Sequence, residues 1–229
     1  MPPRAPLRLD RSRQAAPQVF EVLRERIVAL ELAPGTVLSR TELAEAFGLS
    51  QTPIRDALIR LGEEGLVDIF PQHATVVSRI DVPAAVQSHF LRRAIECEIV
   101  RTLAEAPDAA LLARLRAQVD VQAALAGESS HAEFIEADRT FHRLMAEAAG
   151  VPELYELVRS RSGHVDRLRR LHLYSAGKMR TILRDHRRIV EAIGSGEGAA
   201  AQDAVREHLS GTLAKVDEIR RSHPDYLTD

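Results

Sequence analysis

Residues 34–69, PGTVLSRTELAEAFGLSQTPIRDALIRLGEEGLVDI, decide the fold of the N-terminal part of the chain. Within this stretch, Ser39–Glu42 has the pattern of a capping box, in which a hydroxyl and a carboxylate bond free amides at a helix start. The pattern predicts a short helix that ends near Gly48. The hydroxyl of Ser50 is predicted to cap a further helix, which Gly65 ends.

The segments on either side complete a recognisable layout. Residues 17–32 keep apolar side chains at helical spacing and predict a preceding helix, whereas residues 66–77 contain two β-prone runs and predict a hairpin. The order helix, short helix, turn, helix, hairpin predicts a winged helix-turn-helix over residues 17–79. Residues 1–16 hold four Arg and one Asp, which predicts a flexible basic arm, either merely solvated or adding phosphate contacts.

The remaining chain predicts a second domain over residues 80–223 that is entirely helical. Its few breaks consist of Pro, Gly and Ser, and aromatic residues make up only 4% of the protein, which favours helix-on-helix packing. The fold class is therefore mainly α, with an antiparallel all-α bundle following the winged helix-turn-helix. The predicted helices are 82–105, 108–125, 131–149, 152–174, 178–194 and 199–222.

Composition excludes several classes of protein. The chain of 229 residues has a formal net charge of −2 and one cysteine, Cys97, so an intrachain disulfide is impossible. No apolar stretch is long enough to span a bilayer, and the N-terminus lacks the apolar core of a secretory signal. These features predict a cytoplasmic protein with no membrane partner. Because the total charge does not favour nucleic acid, any DNA contact must come from local placement.

The helix after Gly48 has the features of a DNA-reading element. Its apolar residues face inward, which leaves Gln51, Thr52 and Arg55 on the outer side, where Gln suits adenine and Arg suits guanine or phosphate. A helix-turn-helix can also be a purely structural corner. The full candidate DNA-binding set adds hydroxyl, basic and wing residues, namely Arg40, Thr41, Ser50, Gln51, Thr52, Arg55 and His73.

Residues 17–78 resemble the DNA-binding domain of the GntR family of bacterial regulators. The match is most specific from Leu49 to Leu61 and extends into the hairpin. It implies a homodimer that binds double-stranded operator DNA as an inverted repeat. Two departures put operator contacts in doubt, because the family usually has Arg in place of Gln51 and a basic, Gly-containing wing in place of residues 71–74. We therefore expect a weaker electrostatic contribution, offset by the basic arm.

Ionisable residues interrupt three apolar stripes of the C-terminal domain. Asp138 and His142 share one stripe, His186 lies on a second between Ile182 and Ile189, and His208 lies on a third. Burying such groups without partners costs several kcal/mol. Either each histidine is bonded to a core neighbour, or all four residues surround a divalent metal ion. Three imidazoles and a carboxylate suit zinc, with nickel, cobalt and manganese as alternatives.

Residues 82–215 resemble the FCD domain, the effector-binding domain of the FadR-like branch of the GntR family. The matching stretches are LRRAIE at 91–96, DRTFH at 138–142, DHRRIV at 185–190 and EHL at 207–209. The resemblance implies metal ligation by Asp138, His142, His186 and His208, and a pocket for a small carboxylate effector. It also implies that Arg92 faces the pocket, although a surface ion pair with Glu96 is an equally simple interpretation.

The sequence is compatible with three functions. The favoured one is a non-enzymatic transcription regulator, a repressor whose operator binding responds to metal and effector. A metal-dependent hydrolase or lyase is the alternative, but the chain has no HExxH motif and no spare carboxylate on a stripe where it could act as a base. The third possibility is a metal-free helical dimerisation module. His131, His164 and His172, together with Arg167–Arg170, are predicted to be solvated or, for the histidines, to cap helices.

Overall fold

The structure is a computed structural model, and it describes residues 9–10, 12–71, 73–127, 130–173 and 177–228. It is mainly α, with a winged helix-turn-helix followed by a helical domain, as the sequence predicts. The N-terminal domain contains helices α1 (Ala15–Val28), α2 (Arg40–Phe47) and α3 (Gln51–Glu63), and strands β1 (Val37–Leu38), β2 (Val67–Ile69) and β3 (Thr75–Val77).

The predicted hairpin is part of a three-stranded antiparallel sheet with the order β1-β3-β2. Val67 pairs with Val77 across the hairpin, and Val37 pairs with Val76 on the other side of β3. The sequence analysis did not predict β1, because a strand of two residues is too short to show an alternating pattern. Leu38 nevertheless buries its side chain in the N-terminal core.

The helix termini follow local chemistry with some departures. The amide of Glu42 donates to Ser39 Oγ at 3.3 Å, and Gly48 ends α2 in the left-handed conformation at φ 64°. The predicted side-chain cap at Ser50 is wrong, because that hydroxyl makes no capping bond. Helix α1 begins two residues before Pro17, where the missing amide of proline costs nothing because the first turn has no intrahelical acceptor.

In the helical domain, two of the predicted helices are each interrupted and form shorter helices. It contains α4 (Val82–Glu105), α5 (Ala109–Ala124), α6 (His131–Ala148), α7 (Pro152–Arg161), α8 (Gly163–Leu173), α9 (Lys178–Gly194), α10 (Gly198–Ser210), a 3-10 turn (Leu213–Lys215) and α11 (Val216–Ser222). The predicted helix 152–174 is interrupted at Ser162, and the predicted helix 199–222 is interrupted at Gly211. At Gly163 a Cβ atom would lie 2.6 Å from the side chain of Leu66, so glycine lets the two domains approach closely.

The core of the helical domain joins α4, α5, α6, α9 and α10. Its fully buried side chains include Val100, Leu115, Phe141, Ile189 and Val205. Helix α10 packs on α4 and α9, and α5 packs on α6 and α9. Among the described residues, no helix is both long enough and apolar enough to cross a bilayer.

The prediction of a solvated face at Arg167–Arg170 is wrong for Arg167, because its side chain is fully buried between the domains. Its guanidinium donates to the carbonyl and the hydroxyl of Ser78 at 2.6 and 3.2 Å. Burial lowers the pKa of Arg167 to about 10. His164 lies beside it, and its Nδ1 accepts from the amide of Asp81 at 3.0 Å. The break at Ser162 redirects α8 and brings these polar groups to the domain interface.

Candidate metal centre and nucleic-acid interface

The four predicted metal ligands converge in the core of the helical domain. Asp138 and His142 lie one turn apart on α6, His186 lies on α9 and His208 on α10. One donor atom from each lies within 4.8 Å of the other three, and all four residues are buried. The three inward stripes of the sequence therefore meet at one point.

The hydrogen bonds of His186 show which of its nitrogen atoms is available. Gln122 donates its amide Nε2 to the carbonyl of Ala137 at 3.1 Å, so its Oε1 faces His186 Nδ1, at 2.8 Å. That nitrogen must donate, which leaves a lone pair on Nε2. His186 Nε2 lies 3.4 Å from His208 Nε2 and 3.5 Å from Asp138 Oδ1. The lone pair of His186 Nε2 therefore faces the acceptor Asp138 Oδ1 across the cluster.

The same cluster contains buried polar atoms without protein partners. Among the described residues, neither Asp138 Oδ1 nor His142 Nε2 has a hydrogen-bond partner. Leaving such atoms unpaired costs about 1–3 kcal/mol each. A divalent cation held by three imidazole nitrogens and one carboxylate oxygen would satisfy all of them, so the donor set fits a metal.

Each histidine of the cluster also faces an outer residue with its other nitrogen. Glu96 Oε2 lies 3.1 Å from His142 Nδ1, and Gln122 accepts from His186. Asp185 Oδ2 lies at a longer 3.8 Å from His208 Nδ1. Of these outer residues, Gln122 makes a hydrogen bond with its histidine, and such an acceptor fixes the orientation of a ligating imidazole and directs its Nε2 inward.

The protonation states agree with a ligand role. Burial lowers the pKa values of His186 and His208, so both imidazoles stay neutral at neutral pH. Burial alone would raise the pKa of Asp138, but the nearby basic groups, Arg169 first among them, together outweigh burial and hold that pKa well below its usual range. Arg169 donates to Asp138 Oδ2 at 2.9 Å, which leaves Oδ1 directed at the histidines. Neutral imidazoles and an ionised carboxylate are the forms that bind metals.

A cavity of about 330 Å³ opens beside the cluster. Asp138, His142 and His208 form part of its wall, and the wall also carries the cationic side chains of Arg169 and Lys178. The volume is at the lower end of the range for small-molecule sites. A small anion in this cavity could contact the metal position and a cation together.

Arg92 lies in the wall of this cavity, but it is not free. Its Nε donates to Glu96 Oε1 at 2.5 Å, and its side chain is buried. The predicted ion pair between Arg92 and Glu96 is therefore present, but it is buried and not on the surface. Effector binding by Arg92 stays a prediction.

Four polar residues of the site are not predicted from the sequence. Gln122 continues the buried stripe of Leu115 and Val119, and that position is the signal that could have revealed it. Glu96 was considered only as a partner of Arg92, and Asp185 directly precedes a ligand. Arg169 was assigned to the solvated face, because its partner Asp138 lies on another helix.

The predicted DNA-binding residues form a separate surface on the N-terminal domain. Helix α3 buries Ile54, Ala57, Leu58 and Leu61 and thereby presents its opposite side to solvent. All seven predicted residues are exposed, namely Arg40, Thr41, Ser50, Gln51, Thr52, Arg55 and His73. Gln51 Nε2 donates to Thr41 Oγ1 at 3.4 Å, which links the starts of α3 and α2. Gln72 of the predicted wing lies outside the described residues, and DNA contact by this set stays a prediction.

Comparison with known proteins agrees with this two-domain arrangement. Residues 15–77 match the profile of the bacterial regulatory proteins of the gntR family, and residues 87–211 match the FCD domain. The chain belongs to the GntR family. A GntR-family chain with an FCD domain is a DNA-binding transcriptional regulator. FCD domains often bind a metal, and the Asp138 cluster could hold one.

Relatives cover nearly the whole chain. An HTH-type transcriptional regulator in an unstable DNA locus of Streptomyces ambofaciens is 34% identical over 92% of this chain and 89% of its own length. The HTH-type transcriptional repressor RspR of Escherichia coli K12 is 29% identical over 93% of each chain. These names describe regulators and give no support to the hydrolase or lyase alternative.

Solved structures show the same fold. Escherichia coli McbR/YncC superposes with a TM-score of 0.75 at 22% identity, over 90% of this chain and 99% of its own. A putative GntR regulator from Rhodococcus sp. RHA1 gives a TM-score of 0.71 at 22% identity, over 89% and 97% of the two chains. GntR-family regulators bind operator DNA and are typically dimeric.

Proposed function

We propose that this GntR-family protein is a cytoplasmic repressor whose affinity for operator DNA is modulated by a divalent metal and a small carboxylate. The observation that carries the proposal is the buried cluster in which His186 Nε2 lies 3.4 Å from His208 Nε2 and 3.5 Å from Asp138 Oδ1. A cation shared by these atoms would compensate for their burial. Zinc suits three neutral imidazoles and one carboxylate, with nickel, cobalt or manganese as the other candidates.

The effector we propose is a small organic acid that binds in the cavity beside the metal. A bound divalent cation would supply a Lewis-acidic centre for a carboxylate oxygen. Arg92, although it is paired with Glu96, and Lys178 line the same cavity, and we propose that both contact the effector carboxylate. Lys178 lies at the start of α9 in the wall of this cavity, where its ammonium can contact an anion.

The DNA partner we propose is an inverted-repeat operator bound by a homodimer. Two recognition helices about one duplex turn apart would place Gln51 and Arg55 of each subunit against base edges, and Arg40 and Thr41 against the backbone. The E. coli relative bears the name of a repressor, which supports that sign of regulation. An effector changes operator affinity if it binds the DNA-competent and DNA-incompetent arrangements differently.

The test combines elemental analysis with DNA binding. Operator DNA is first selected from a random duplex pool, and its affinity is then measured by fluorescence anisotropy with and without zinc and a panel of small carboxylic acids. We expect His186→Ala to lose the bound metal and the response to acids while it retains DNA binding.

His172→Ala is the matched control, because His172, which the sequence predicts to be solvated or to cap a helix, is in fact also buried but lies outside the cluster. It should keep the metal and the response. Unchanged metal content in His186→Ala would refute the metal centre. Turnover of a tested acid would support an enzyme instead.

A further inference from the structure

Two arginines of the helical domain hold carboxylates of the DNA-binding domain. Arg139 Nη1 donates to Glu25 Oε2 at 2.7 Å, and Arg159 Nη2 donates to Glu21 Oε2 at 2.6 Å. Arg159 also lies 3.4 Å from Glu25 Oε1. We call Glu21, Glu25, Arg139 and Arg159 the interdomain ion-pair cluster. It connects α1 with α6 and α7.

The interdomain ion-pair cluster borders the cavity of the metal centre. Arg139, Arg159 and Glu25 line the cavity together with Asp138 and His142. Arg139 directly follows the metal ligand Asp138 in the chain, and both arginine side chains are only partly exposed. The cavity is therefore closed on one side by residues of the DNA-binding domain rather than by the helical domain alone.

Hydrogen bonds of Arg24 connect Arg159 of this cluster with the C-terminal end of the recognition helix α3. Arg24, next to Glu25 on α1, is fully buried and donates to the carbonyl of Arg159 at 2.5 Å. Its Nε also donates to Glu64 Oε2 at 2.8 Å, and Glu64 is the C-cap residue that directly follows α3. A change in how α1 contacts Arg159 must therefore alter contacts at the end of α3.

The carboxylates of α1 occupy the arginines as an anionic ligand would. A guanidinium prefers a paired carboxylate, and two carboxylates on different bodies compete for the same donors. A small acid held at the metal position and carrying further carboxylate oxygens would meet Arg139 and Arg159 in the same cavity. If it took the donors that Glu25 and Glu21 occupy, it would release both carboxylates.

We propose that Arg139 and Arg159 are effector-binding residues and that Glu21 and Glu25 are internal competitors that the effector displaces. This inference rests on the proposed function, since it assumes a carboxylate effector in this cavity. Displacement frees α1 from the helical domain and transmits effector binding to α3. The competition between Glu21, Glu25 and the effector lies within the protein. Removing both competitors therefore changes effector affinity even when DNA is absent, and coupling between effector and DNA is reciprocal.

The experiment uses zinc-loaded full-length protein and titrates acetate, malonate, succinate and citrate by calorimetry. The double variant Glu21→Gln, Glu25→Gln removes both competitors. The tightest of these acids should bind it 5- to 30-fold more tightly than wild type. The factor by which that acid changes operator affinity should shrink towards one.

The matched control is Glu136→Gln, Glu156→Gln. These residues flank the same two arginines at 3.6 and 3.8 Å, but they lie in the helical domain and are exposed. The control removes the same charge without touching α1, so acid affinity should rise less than threefold and coupling to DNA should persist. A third variant, Arg139→Gln, should weaken acid binding at least tenfold while it retains zinc.

The outcomes separate this inference from the proposed function. Equal acid affinity and equal coupling in wild type and the Glu21/Glu25 variant overturn the inference and leave a carboxylate sensor in place. An identical gain in the Glu136/Glu156 control also overturns it, since the effect would then be one of general charge. If none of the four acids binds zinc-loaded wild type, the proposed sensor function itself fails.

Discussion

The two domains place their functional polar side chains in opposite environments. Gln51 and Arg55 on the recognition helix are exposed, whereas His186 and Asp138 in the helical domain are buried. An exposed polar group keeps its water and needs no partner within the fold. A buried one must find a partner in the protein or bind a ligand. The DNA-binding surface therefore consists of side chains that point to solvent. The metal centre consists of side chains whose partners come together only when the core folds.

Arg24 tests the buried side of this comparison with the largest expected effect. It is a fully buried cation in the DNA-binding domain, bonded to Glu64 and to the carbonyl of Arg159. Arg24→Leu leaves Glu64 without its partner, and we expect the free energy of unfolding to fall by about 3–5 kcal/mol. Urea denaturation followed by circular dichroism measures the change.

An exposed ion pair supplies the control for Arg24. Arg206 donates to Asp203 at 2.7 Å on α10, a distance close to that of the Arg24–Glu64 pair, but both side chains are about half exposed or more. Arg206→Leu should cost less than about 1 kcal/mol. If the two variants lost equal stability, burial would not be what distinguishes these pairs.

Gln122 tests whether outer residues matter to the metal centre. Gln122→Leu removes the acceptor for His186 Nδ1, so we expect zinc affinity to fall about 10- to 100-fold. Gln118 is a close match, because it also donates to the carbonyl of Ala137 at 3.1 Å, whereas the hydrogen bond to His186 comes from Gln122. Competition with a fluorescent zinc chelator gives both affinities. A loss of similar size in Gln118→Leu would assign the effect to the Ala137 carbonyl instead.

The same contrast explains what the sequence can predict. A stripe of apolar residues shows which side of a helix is buried, so the fold class and the inward direction of His186 follow from spacing alone. The partner of a buried group lies on another helix, and spacing carries no information about which helices meet. For that reason spacing predicts neither the pairing of Gln122 with His186 nor that of Asp185 with His208, and it places Arg169 in solvent. The short strand β1 and the break at Ser162 depend on contacts between distant segments, such as Gly163 against Leu66.

Two serines at helix starts provide the smallest and most selective test. Ser39 accepts the amide of Glu42, whereas Ser50 caps nothing and is exposed. Ser39→Ala should lower the free energy of unfolding by about 1 kcal/mol, because it removes a helix cap. Ser50→Ala should leave stability within about 0.5 kcal/mol and weaken operator binding by roughly 1 kcal/mol, since its hydroxyl is free for a phosphate. Thermal unfolding and fluorescence anisotropy measured on both variants give the four values. The hydroxyl of Ser50 caps no helix, so a contribution to function can come only from contact with a partner such as DNA. Equal operator affinity in Ser50→Ala and wild type would therefore show that Ser50 does not belong to the DNA-binding surface.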